Sequence, residues 1–98
     1  MRSVKGKVAL VTGGTRGVGH GVVLELEKAG AIVYVTGRSF TEDTFAGTER
    51  VMPVRCDHTR DSEVEAAFRR IISEQDRFDI LVNNVWGGTR SDITHRGR

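Results

Sequence analysis

Residues 7–12 read KVALVT, an apolar run that stops at Gly13. Gly14, Gly17 and Gly19 follow closely, and a helix-spaced apolar pattern then begins. No other feature constrains the fold as much. A short strand that is apolar at nearly every position suits burial on both faces, as in a parallel sheet. A parallel partner is reached only through a crossover, usually a helix. Residues 17–29 supply one, with Val18, Val22, Leu26 and Ala29 on one stripe and Gly30 as a stop signal. Residues 31–36 (AIVYVT) are rich in β-branched residues and read as the second strand.

The pattern then repeats less regularly. Residues 38–50 are ambiguous, with at most a turn of helix around Thr41 to Ala46. Residues 51–56 (VMPVRC) read as a third strand, and Pro53 places it at a sheet edge. Residues 61–74 are a well-marked helix, with Val64, Ala67, Phe68, Ile71 and Ile72 at helical spacing. Ser62 with Glu65 fits a capping box, and Asp61 is an alternative cap. Residues 78–83 (FDILVN) form a fourth strand, and residues 84–98 read as loop or a frayed end. Short apolar strands alternating with helices predict an α/β fold: one domain over residues 1–98, a doubly wound parallel sheet in the order 3-2-1-4.

Composition excludes several function classes. The net charge of a chain of 98 residues is only +2. The basic residues Arg69, Arg70, Arg90, Arg96 and Arg98 lack interleaved aromatics, so nucleic acid is not an expected partner. Cys56 is the single cysteine, which rules out an intrachain disulfide and makes a reducing setting the default. The apolar run near the N-terminus is too short for a signal-peptide core or a membrane span, so the expectation is a cytoplasmic protein with no membrane partner. Cys56, Asp57 and His58 alternate faces in an extended chain, and His20 and His95 match no zinc spacing, so no metal is expected. Ser39, Ser62 and Ser91 have no readable His–Asp partners.

The glycine junction has definite physical roles. Gly13 permits the turn off the strand, Gly17 lets an anion such as a diphosphate approach the backbone, and Gly19 lets the helix pack close to the strand. Freed N–H groups and the helix dipole favour negative charge there. The other reading is a glycine-rich turn that binds nothing.

At these residues a resemblance emerges. TGGTRGVG resembles the Thr-Gly-x-x-x-Gly-x-Gly fingerprint of the short-chain dehydrogenase/reductase family, and VTGRS, CDHT and LVNN agree in order and spacing. The likeness spans residues 6 to about 88. It implies a truncated Rossmann-like fold, the cofactor-binding half of an NAD(P)-dependent oxidoreductase. Gly13, Thr15, Arg16, Gly17, Val18 and Gly19 would line the diphosphate side. The second strand ends without the carboxylate that NAD binders use on the ribose. Arg38 and Ser39 stand there instead, and Arg16 precedes Gly17, so NADP(H) is favoured over NAD. Asp57 matches the residue that accepts a hydrogen bond from adenine, or it caps a helix near Thr59. Asn83, with Asn84, matches the pair that lines the ribose. Val85 and Trp86 depart from the family's Ala-Gly, which calls for a different path of the loop before Gly87 and Gly88.

The resemblance also implies a catalytic Ser and a Tyr-x-x-x-Lys pair. The one tyrosine, Tyr34, is followed four residues on by Arg38, and no lysine follows Lys28. No residue is therefore assigned to catalysis. The expected function is the NADP(H)-binding portion of such an oxidoreductase, with the chain an N-terminal piece of a longer fold. Alternatives are a non-catalytic dinucleotide-binding or protein-interaction module, or a fragment without activity of its own. A fourth strand at an open edge further predicts self-association.

Overall fold

A computed structural model of the chain describes residues 4–13, 17–41, 43–57, 60–83 and 92–95, the last segment by its backbone. Thr15, Arg16 and Asn84 to Gly88 lie outside the described residues. In chain order the elements are β1 (Val8–Thr12), α1 (Gly17–Lys28), β2 (Ile32–Gly37), β3 (Val51–Arg55), α2 (Asp61–Gln75), β4 (Ile80–Asn83) and β5 (Asp92–His95). The first four strands are parallel in the order 3-2-1-4, and β3 with its Pro53 lies at an edge. Each expected strand and helix of this set is present, with ends within about two residues of the sequence reading.

Strand alternation divides the core between two layers. On one face Ala9, Val11, Val33, Val35, Ile80 and Val82 pack with Val23 of α1. On the other, Val8, Leu10 and Tyr34 pack with Ile71, and Phe68, Phe78 and Leu81 lie against them. Full burial of one such Val or Leu side chain contributes about 1.5–3 kcal/mol. The helices therefore cover opposite faces, as continuous apolar runs in β1 and β2 require.

Three local expectations need correction. The buried stripe of α1 is Gly19 and Val23, with Val22 and Leu26 partly buried, whereas Val18 is 73% exposed. The helix starts at Gly17, so Val18 sits at its open mouth rather than over the sheet. The capping box at Ser62 does not form. The N-cap is Arg60, without a side-chain cap bond, and the Glu63 carboxylate turns back to accept from the Asp57 backbone N–H at 2.8 Å. Residues 38–50 carry turns but no helix among the described residues, within what their ambiguous sequence allowed.

The last correction concerns residues 84–98, expected as loop or tail. Residues 92–95 form β5, antiparallel to β4, with Ile80 opposite His95 and Asn83 opposite Asp92. An apolar strand edge has backbone donors and acceptors that must be satisfied. The chain satisfies them itself, so the open edge on which self-association was expected is covered.

The helix-free crossover is pinned at two points. The His20 Nε2–H donates to the Thr44 carbonyl at 2.8 Å, and its ring stacks on buried Phe45 with centroids 5.0 Å apart. Glu27 accepts from the backbone N–H groups of Glu49 and Arg50 at 3.0 and 3.3 Å. These bonds, with the Arg50 guanidinium, hold the Glu27 carboxyl below the usual carboxylate range.

At the end of the sheet where the strands begin, Asp79 acts as a buried clasp. Its carboxylate accepts from the Val8 N–H at 2.8 Å and from Arg77 at 2.8 and 2.9 Å, with its side chain 3% exposed. The Arg77 hydrogen bonds are the main reason its carboxyl is held below the usual value. Burial opposes them, and the Val8 N–H assists.

Candidate functional site

The candidate residues come from the ends of the parallel strands and from the start of α1. In a doubly wound sheet, ligands bind beyond the carboxyl ends of the strands, where the strand order reverses. Here that reversal lies between β1 and β4, since β1 pairs with β2 on one side and β4 on the other.

Gly13 follows β1 with φ +68°, and its N–H donates to the Thr36 carbonyl at 2.9 Å. This bond draws the turn across the end of β2. Gly17 opens α1 with φ +64°, a left-handed conformation that L side chains rarely adopt. Among the described residues, a side-chain carbon built there would meet no atom of another part of the fold within 4 Å. The left-handed φ by itself calls for glycine here, and the space beside its backbone leaves room for another molecule to approach. Gly19 is buried. The first turn of α1 contains no acidic residue, so nothing in it opposes an anion at its free N–H groups.

Arg38 and Ser39 follow β2 directly, and both are exposed. Asp57 is half-buried two residues beyond the end of β3. Its carbonyl accepts from the Arg60 N–H, and its carboxylate lies 3.8 Å from the Arg60 guanidinium. Arg60, not Asp57, occupies the N-cap position of α2. Asn83 ends β4 opposite Thr12, and its Oδ1 accepts from the Thr12 hydroxyl at 2.8 Å. That bond ties the two strands at the point where the strand order reverses.

Among the expected site residues, Gly13, Gly17, Val18, Gly19, Arg38, Ser39, Asp57 and Asn83 therefore share one end of the sheet. Thr15 and Arg16 lie outside the described residues. Sequence reasoning missed Arg55, the last residue of β3, which sits beside Gly37 in the strand register. The alternation of Val51, Pro53 and Arg55 was the available signal, because it puts Arg55 on the face that α1 covers. Tyr34 is fully buried, as expected of a core tyrosine. Its hydroxyl donates to Glu74 and accepts from Gln75. Burial first, and the Glu74 carboxylate second, push that hydroxyl above the usual phenol value. Among the described residues no group of three or more His, Cys, Asp or Glu side chains could hold a metal ion, and no helix is long and apolar enough to cross a membrane.

Known proteins share this fold. A family model for short chain dehydrogenases matches residues 7–96. Dehydrogenase/reductase SDR family member 1 of Mus musculus is 43% identical over 97 residues, covering 90% of this chain and 30% of that protein. The Homo sapiens protein of the same name is 38% identical over 102 residues, covering 97% of this chain and 33% of its own length. The chain thus spans about a third of these relatives. Among solved structures, the Pseudomonas aeruginosa RhlG/NADP active-site complex superposes with a TM-score of 0.74 at 31% identity, over 84% of this chain and 35% of that one. A short-chain dehydrogenase/reductase from Serratia marcescens gives 0.74 at 33% identity, over 85% and 37%.

Proposed function

This chain belongs to the short chain dehydrogenase family, and from that premise we propose that it binds NADP(H), as the cofactor-binding portion of an oxidoreductase. The observation that carries the reading is the convergence of Gly17, open to approach and left-handed in φ, with exposed Arg38 and Ser39 at one end of the sheet. Gly13, Thr15, Arg16, Gly17, Val18 and Gly19 would hold the diphosphate against the N-terminus of α1. Arg38 and Ser39 would hold the 2′-phosphate, with Arg16 as a second basic group. Asp57 would face adenine, and Asn83, oriented by Thr12, the ribose. That an NADP complex stands among the structural neighbours supports the choice of nucleotide.

When bound, the cofactor supplies hydride transfer to or from a carbonyl or alcohol. The residues of this chain would bind and orient it, and none of them is assigned a proton in that step. Tyr34 is unsuited to such a role, because it is buried and engaged by Glu74 and Gln75. A titration of the chain with NADPH and NADH tests the proposal. Preferential binding of NADPH is the expected result, and equal affinity for both would remove the argument from Arg16 and Arg38.

A further inference from the structure

We infer that Arg55 is a positioning residue for recognition of the 2′-phosphate, acting through the backbone of Arg38. The inference rests on the NADP(H) reading and adds a residue to it. Arg55 ends β3 directly opposite Gly37. The next N–H, that of Cys56, donates to the Gly37 carbonyl at 2.9 Å. Arg55 Nη1 reaches one residue further and donates to the Arg38 carbonyl at 3.0 Å. Its guanidinium also lies over the Phe40 ring, 4.7 Å from the centroid. The two contacts bracket the Arg38–Ser39 segment from both sides.

The missing crossover helix leaves room for this arrangement. Phe40, Thr41, Phe45, Pro53 and Arg55 line an open cleft of about 480 Å³ beside β3. Val51, Pro53 and Arg55 share one face of β3, and Val51 packs into the α1-side layer. Arg55 therefore stands on the side of the sheet where α1 and its glycine turn lie. Arg38 and Ser39 are exposed and sit in no regular element, so their side chains are aimed only as well as their backbone is held. Arg55 fixes that backbone by one bond and one ring contact. It would also add positive charge on the side of the sheet where the 2′-phosphate, which carries close to two negative charges at neutral pH, is proposed to lie. A lysine lacks the planar fork with which a guanidinium can lie over Phe40 and donate to a carbonyl at once.

The test uses the 98-residue chain with two adenosine probes, 2′,5′-ADP and 5′-AMP, which differ in the 2′-phosphate. Titration of Arg55→Met should show binding of 2′,5′-ADP weakened about three- to tenfold, while 5′-AMP stays within about twofold. Arg55→Lys should recover part of the loss, and Phe40→Leu should show a smaller loss of the same kind. Melting midpoints should stay within about 2 °C, because none of these changes touches the core. An equal loss for both probes, or no loss for either, overturns the role of Arg55 while leaving the cofactor reading intact. If the unmodified chain does not prefer 2′,5′-ADP over 5′-AMP, the NADP(H) reading falls, and this inference falls with it.

Discussion

The two ends of the parallel sheet are built from the same strands but by opposite rules. Where β1 and β4 begin, Asp79 is buried and every oxygen of its carboxylate is engaged, by Val8 and Arg77. Where the strands finish, Gly17, Val18, Arg38, Ser39 and Asn83 are exposed, and a left-handed glycine leaves open space above α1. One end is sealed by a carboxylate held out of water, and the other presents donors and cations to it. On the proposed reading, stability and recognition are separated along the strand direction, so substitutions at the two ends should have different consequences.

The largest effect on stability belongs to the sealed end. Asp79→Ala should cost about 2–3 kcal/mol, since the buried Val8 N–H loses its acceptor. Urea denaturation measures the cost, and the preference among nucleotides should be unaltered. A shift in that preference without loss of stability would break the division of roles. At the open end, Gly17→Val should reduce dinucleotide affinity by about a hundredfold or more, because a side chain would stand where a diphosphate meets backbone. The left-handed φ adds about 1–2 kcal/mol of strain. Binding and circular dichroism together separate the two outcomes, and a helix content near that of the parent is expected.

Arg38→Asp should narrow or reverse the NADPH preference, by about tenfold. Its unfolding midpoint should barely move, as for other exposed substitutions. The smallest effect concerns acid. The carboxyl of Asp79 is held below its ordinary value by Arg77. Its contribution is fully present above the unfolded-state pKa, about 3.9. That contribution is lost as pH falls through the lower folded-state value. Asp79→Asn should therefore flatten the acid limb of a stability profile below about pH 4. An unchanged limb would place the acid sensitivity elsewhere.

What could be read from the sequence follows the range of the interactions involved. β1 and β2 were legible because their burial is nearly continuous, β3 and β4 because each is a short apolar run, and α2 because Ala67, Phe68 and Ile71 recur at helical spacing. Gly13 and Gly17 were legible because unusual backbone angles demand a particular residue. The Asp79 clasp was not, since the sequence reading places Asp79 within the fourth strand and nothing local marks its partners. Its meaning depends on Val8, far away in the chain. The pairing of β5 was hidden for a related reason. The segment from Asp92 to His95 shows no apolar alternation, and its place is set by the backbone needs of β4 rather than by its own pattern. Arg55 was passed over because an arginine at a strand end resembles any solvated charge until Phe40 and the Arg38 carbonyl are seen beside it.

The separation of Val8 and Asp79, 71 positions apart in the chain, also bears on the order of folding. The central strand β1 meets β2 early, through a single helical crossover, but it must wait for both later connections before β4 can dock. Closing so long a loop is paid in entropy before any contact repays it. The clasp is therefore expected to tighten after the transition state, and its loss to appear mainly as faster unfolding with the refolding rate little changed. Asp79 would then act as a latch on the lifetime of the native state and leave the speed of reaching it to the first crossover.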